Sequence, residues 1–322
     1  MKGGGHVISN RPAIELMLSE RLDDSEAFGS IWTRNLYEFA SETKPRRSGS
    51  KAMTAISKPG LPQSSLIIAA PLVFAILQIL TPVLPQLGIG EPIGDRSDMV
   101  RSLVTPAGWA FSIWGPLYAG SLLFAVYQAL PSQRDNGLLA TIRMPAASAF
   151  LGNALWALYT QSYGLSAISV LIIIGTLVSL LIVVRRFMQW DRPFTSGERW
   201  CAVLPLSALA SWLTAATIVN ITAALKFHGI EGGEATPIIA AAIIVVGGVI
   251  AGAELLKIEG NPFYAIGFLW ALAAIYSSGG QEAQAVALVT GISAVMVIAA
   301  TVMGLRAGGA RRWFGTKNAV GA

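Results

Sequence analysis

The sequence predicts an all-α, polytopic helical membrane protein with about eight transmembrane helices. Two observations carry this. Of 322 residues, 53% are hydrophobic and only 13% charged, and mean hydropathy is +0.58; a soluble domain is about 25% charged. The apolar residues also gather into eight runs, each near the ~20 residues that cross a ~30 Å hydrocarbon core as helix. The runs are too long and too little alternating for barrel strands. Backbone groups in lipid must bond to one another, so helix is the expected state.

The runs follow an arm, residues 1–64, expected to be cytoplasmic and partly disordered or amphipathic. Its PRRSGSK stretch (45–51) reads as a flexible linker, and Phe28, Ile31, Trp32, Leu36 and Phe39 share one helical stripe. That stripe suits an interfacial or partner-docking helix, and a weakly structured tail accounts for it equally well. Met53 is an alternative start to Met1.

The first run covers 65–87. The second, 107–130, contains most of TPAGWAFSIWGPLY (105–118). Thr105 and Pro106 are placed as N-cap and first helical residue. Trp114 and Tyr118 then share a face, and Trp109 lies about 140° round the helix, placed as an interfacial anchor. The third run, 145–163, sets Asn153, Trp156 and Thr160 on one face. The fourth covers 166–184. The fifth, 201–225, aligns Trp212, Ala216 and Asn220, with Pro205 two turns earlier. The sixth, 237–256, holds a GxxxG at Gly248 and Gly252, which permits close helix approach. The seventh and eighth, 261–279 and 284–305, lead to a basic cytoplasmic tail, 306–322.

Charge supports this reading. The net charge of +5 would suit nucleic acid, but its distribution suits topology instead. With a cytoplasmic N-terminus, all Lys and Arg fall in inside segments except Arg96, Arg101 and Lys226. This obeys the positive-inside rule for eight spans with both ends cytoplasmic. The expected location is a bacterial cytoplasmic (inner) membrane.

Sites of catalysis are not evident. The single cysteine, Cys201, forms no CxxC or Cys/His cluster. No P-loop, GxGxxG, HExxH or GxSxG motif occurs. His228 sits at a membrane edge, where an axial haem ligand is conceivable and a solvated histidine is the plainer account. The aromatic and amide stripes say more. An asparagine in lipid is costly unless hydrogen-bonded, so Asn153 and Asn220 must face the bundle interior. A cavity lined by three such stripes would suit a flat, largely apolar ligand with a few polar edges. Helix-bridging amides and core-filling tryptophans explain the same residues.

On these residues the chain resembles the TspO/MBR family, the tryptophan-rich sensory or translocator proteins. PAGWAF followed by WGPLY is similar to the family's proline-glycine-tryptophan motif. NALW (153–156) resembles its Asn-x-x-Trp, and LPLSALASWLTAATIVN (204–220) its fifth-helix pattern. The resemblance covers about 65–226, the expected five-helix bundle, and is nearest the longer, divergent branch. It leaves 237–305 as three additional helices. Ala107 stands where the family has a second motif proline, and the Trp109–Trp114 gap is one residue shorter than usual.

The resemblance implies non-covalent binding of a tetrapyrrole, such as protoporphyrin, haem or a related pigment, with sterols in some members. It implies ligand contacts at Trp109, Trp114, Tyr118, Asn153, Trp156, Trp212, Ala216 and Asn220. The leading expectation is a sensor, regulator or carrier, not an enzyme. The alternatives are an accessory subunit of a larger membrane complex, such as a photosynthetic pigment-bearing one, and a small-molecule transporter. Expected partners are the bilayer, a hydrophobic small molecule, and a homo-oligomer or complex partner, with no nucleic acid.

Overall fold

The computed structural model describes residues 65–315; the expectations for the N-terminal arm and for 316–322 lie outside the described residues. No strand occurs among them. The helices are α1 (Ser65–Leu80), the short α2 (Ile93–Met99), α3 (Trp114–Ala129), α4 (Gly137–Tyr163) and α5 (Ala167–Met188). Then follow α6 (Leu204–Phe227), α7 (Thr236–Lys257), α8 (Pro262–Tyr276), α9 (Gln284–Gly304) and α10 (Ala310–Phe314). With their flanking turns they give eight segments long and apolar enough to cross a membrane.

Five of them close a ring. Around it, α1 packs on α4, α4 on α5, α5 on α6, α6 on α3, and α3 back on α1. The remaining three attach through α8, which lies against α6 on one side and α9 on another, while α7 packs mainly on α9. The seams share one device. A Cβ on Gly152 would strike Thr176 across the α4–α5 seam. A Cβ on Gly267 would lie 2.9 Å from Ser211 Oγ across α8–α6, and one on Gly248 would lie 2.6 Å from Ser293 Oγ across α7–α9. Small residues let backbones approach where lipid gives no hydrophobic push between helices. The GxxxG is therefore used within the chain, with Gly248 against Ser293 and Gly252 facing Ala300.

The α6–α8 seam is also bonded. Asn261 caps α8 by accepting from the Phe263 and Tyr264 amides, and its Nδ2 donates to Ser207 Oγ at 2.9 Å. The Tyr264 and Thr214 hydroxyls share a hydrogen bond of 2.8 Å. Ser207, Ser211 and Thr214 recur at helical spacing, so one face of α6 is matched to α8 over two turns.

Two boundaries differ from the sequence expectation. The second span does not begin as α-helix at Thr105–Pro106: 108–113 is a tight 3₁₀ stretch, and α-helix begins at Trp114. Thr105 Oγ1 accepts from the Ser102 amide, closing the preceding turn instead of capping a helix. The angular argument for Trp109 therefore does not apply. The third span begins at Gly137 rather than near Pro145, because Asn136 caps it by accepting from the Leu138 and Leu139 amides.

At the Asn136 end of the bundle, polar groups tie the turns together. The guanidinium of Arg143, fully buried, donates to Gln128 Oε1 at 2.9 Å and to the Gln133 carbonyl at 2.8 Å. Asn136 Nδ2 donates to Glu198 Oε1 at 2.9 Å, and Glu198 also meets Arg192. Part of the segment expected as a basic tail is folded here. Trp313 on α10 is fully buried, stacked on Phe194, and donates from Nε1 to the Glu259 carbonyl at 3.1 Å. Arg312 pairs with Glu259 at 2.8 Å.

Candidate functional site

At the opposite end of the ring the aromatic stripes meet. Trp114 of α3 lies between Trp156 of α4 and Trp212 of α6. Its ring centroid is 6.3 Å from Trp156, near-parallel, and 6.0 Å from Trp212, edge-on. Tyr118 stacks on Trp114 at 5.1 Å, as the i,i+4 spacing requires.

Beside these rings lies a largely apolar, partly open cavity. Trp114, Trp156, Trp212, Ala216 and Asn220 line it, so five of the eight expected residues come together. A second cavity of about 780 Å³ lies under the loop before α3, lined by Trp114, Tyr118, Gln161 and α2 residues. Trp114, Phe111 and Ile93 border both. The expected set thus divides, with Tyr118 in the outer cavity and Trp114 as the partition.

Asn153 and Trp109 are placed elsewhere. Asn153 donates to Gln78 Oε1 at 3.1 Å, bridging α4 to α1 below the cavity wall. Trp109 is 46% exposed and packs edge-on against Trp270 of α8 at 4.9 Å. His228 Nε2 accepts from the Ala167 amide at 3.4 Å and so serves the start of α5. It does not border the cavity.

Buried polar atoms give the site its chemistry. Asn220 Oδ1 accepts from Ser169 Oγ at 2.8 Å, but its Nδ2 has no protein partner. Trp156 Nε1 and Trp212 Nε1 are also buried without a partner. All three are donors on cavity-lining side chains. A buried donor without an acceptor costs about 1–3 kcal/mol. A ligand that brings acceptors, such as carboxylate, carbonyl or ring nitrogen, would recover that cost.

The gap between Trp114 and Trp156 limits how a flat molecule sits. Sandwiching one needs about 7 Å, two carbon contacts of ~3.5 Å. At 6.3 Å the rings are closed on each other, so a planar ligand lies against their outer faces or turns Trp114 aside. The inner cavity wall contains no His, Cys or Met among the described residues. It offers aromatic faces for stacking and hydrogen-bond donors to a flat molecule, and no such side chain as an axial ligand to an iron.

Sequence reasoning missed two walls. Ala271 and Ile275 of α8 border the cavity, although α8 lay outside the stretch that carried the resemblance. Ile93 and Ser97 of α2 cover its end. Arg96 fastens α2 by donating from Nε and Nη2 to the Gln161 carbonyl at 3.3 and 3.1 Å, and it pairs with Glu91. Gly90, at φ +76°, lets that turn pass the end of α4, where a Cβ would lie 2.9 Å from Gln161 O. Arg101 Nη2 donates to Ser278 Oγ at 2.7 Å, and Lys226 Nζ to the Arg101 carbonyl at 2.6 Å. The Ala107 amide donates to the Ala274 carbonyl at 3.0 Å, and Trp270 Nε1 to the Ala110 carbonyl at 3.1 Å. So the three cations that depart from the positive-inside pattern are those that fasten the loop over the cavity. Their isolation in the charge pattern was the available signal.

A family model described as TSPO-like protein matches residues 64–303, running through α8 and nearly all of α9. No curated protein and no solved structure matches the chain. The match spans most of the chain and all but the end of the described helices, extending beyond the 65–226 stretch whose motifs carried the resemblance. The chain is a multi-pass membrane protein that belongs to the TSPO-like family.

Proposed function

We infer that the protein binds a hydrophobic small molecule bearing hydrogen-bond acceptors, with a tetrapyrrole the leading class, and acts as a sensor, regulator or carrier. One observation carries this reading: three buried, unpartnered donors on Trp156, Trp212 and Asn220, all on side chains of one aromatic cavity. Other buried polar atoms, such as Gln78 Nε2 and Ser211 Oγ, also lack a partner, but these three belong to side chains that border one cavity. The propionate-like acids and ring nitrogens of a porphyrin supply acceptors, and its macrocycle supplies a face for Trp114 and Trp212. The reading assigns binding, not bond-making. The charge pattern supports an orientation with both termini cytoplasmic, and the membrane we propose is the bacterial inner one.

The test is titration of the purified full-length chain with protoporphyrin, read by the Soret absorbance so that the tryptophans are not the only reporters. Saturable, near-stoichiometric binding is expected. Ala216→Phe, which fills the cavity, should abolish it while thermal unfolding stays unchanged. Linear, unsaturating partition, or full binding by Ala216→Phe, would sink the reading.

A further inference from the structure

Two more cavities continue from the inner one. A small apolar cavity lies where α6, α7 and α8 meet. It shares Ala215, Val219, Ala271 and Ile275 with the aromatic cavity. A larger cavity of about 930 Å³ lies between the C-terminal end of α6 and the N-terminal end of α7. It shares Val104 and Ile243 with the middle one. The three are therefore neighbours in a row, each separated from the next by one layer of shared side chains.

We propose that this chain of cavities is the ligand's route, running from the bilayer between α6 and α7, past α8, into the aromatic site. The proposal rests on the binding reading above. Four features support it. The outer mouth is rimmed by exposed apolar residues, Leu225, Ile230 and Ile239, so it opens on the phase where a hydrophobic ligand is concentrated. The middle section is lined by Ile218, Ile243, Ile244 and Phe268, with the α7 backbone open at Gly247. Helices α6 and α7 touch sparsely, whereas α8 is bonded to α6 and α7 is packed on α9. Their connection carries Gly229 and Gly233 at positive φ, each with open space where a Cβ would stand. The two helices can part there without disturbing a packed seam.

The chemistry along the route matches that of the site. Hydroxyls of Ser102, Thr222 and Thr236 and the ammonium of Lys226 border the outer cavity. An acceptor-bearing edge is accommodated at the mouth, the apolar body in the middle, and the acceptors again at Trp156, Trp212 and Asn220. An acid borders each opening, Glu231 at the α6–α7 mouth and Asp98 under α2, but the opening under α2 is the one fastened, by Arg96 to the Gln161 carbonyl.

Stopped-flow mixing of protoporphyrin with the full-length chain in nanodiscs tests the route. Ile243→Trp narrows the junction of the outer and middle cavities. Gly247→Leu fills the middle one, where a Cβ meets only the flexible end of Ile218 at 3.0 Å and Phe268 at 3.9 Å. Neither position borders the aromatic cavity. Both variants should slow association and dissociation by the same factor, on the order of tenfold, with Kd unchanged. Gly94→Leu, in the competing entrance where a Cβ meets open space, should leave both rates as in the parent. Unaltered rates in Ile243→Trp and Gly247→Leu, or slowing in Gly94→Leu alone, would overturn the route. A changed Kd with unchanged association would place these residues in the site wall and overturn it too. No saturable binding by the parent chain would remove the binding reading and the route with it, an outcome distinct from parent binding with insensitive variants.

Discussion

Replacing Asn220 by Leu separates a ligand-facing amide from a structural one, because the two accounts give opposite signs. The variant loses the Ser169–Asn220 bond of 2.8 Å. Interhelical side-chain bonds in membranes average about 0.6 kcal/mol, with a maximum near 1.7. Ser169 keeps its bond to the Ser166 carbonyl at 2.7 Å, so no new unmatched hydroxyl appears. Against that loss, the variant removes an Nδ2 donor that is buried without a partner, a penalty of about 1–3 kcal/mol. The residue borders a cavity, so the branched side chain has room. The net effect on folding is between neutral and stabilising by about 2 kcal/mol. Ligand binding should move the other way. One lost hydrogen bond of about 1–2 kcal/mol weakens the protoporphyrin Kd by about 5–30-fold. Thermal unfolding by circular dichroism in detergent and a Soret titration measure the two quantities on one sample. A variant that unfolds several degrees earlier and binds with parent affinity would refute the reasoning and make Asn220 a packing residue.

Three further outcomes follow from the packing. Asn153→Leu should behave in the reverse way: Gln78, whose Nε2 already lacks a partner, loses its remaining side-chain bond, so stability falls by about 1–3 kcal/mol while the affinity of the folded fraction stays at the parent value. Gly248→Leu drives a Cβ to within 3.2 Å of the Ser293 backbone and should cost at least about 1–3 kcal/mol, read as a lower unfolding midpoint; an unchanged midpoint would show that α7 and α9 do not pack there. Trp313→Ala empties a fully buried site stacked on Phe194 and should cost about 3–5 kcal/mol in the same assay, whereas a neutral result would make α10 a dispensable tail.

The sequence by itself determined the spans and much of the aromatic site. Apolar runs of helical length admit one backbone solution in lipid, and helical spacing alone puts Trp114 with Tyr118, and Trp212 with Ala216 and Asn220, on common faces. It did not separate the two asparagines. Both are costly in lipid unless bonded, and a single sequence does not tell which finds a full set of partners; Asn153 met Gln78 on α1, and Asn220 met Ser169 but kept a free donor. The sequence set Trp109 apart from the Trp114 face, where the structure leaves it half exposed, but not its contact with Trp270 of α8, which depends on the 3₁₀ turn and on the packing of α8. Tertiary structure alone decided that α8 is a wall of the cavity. That follows from a seam matched residue by residue, Asn261 to Ser207, Tyr264 to Thr214 and Gly267 to Ser211, between helices some fifty residues apart in the chain. The periodicity of either helix shows which face is small and polar. Which partner meets that face depends on how eight helices share one volume.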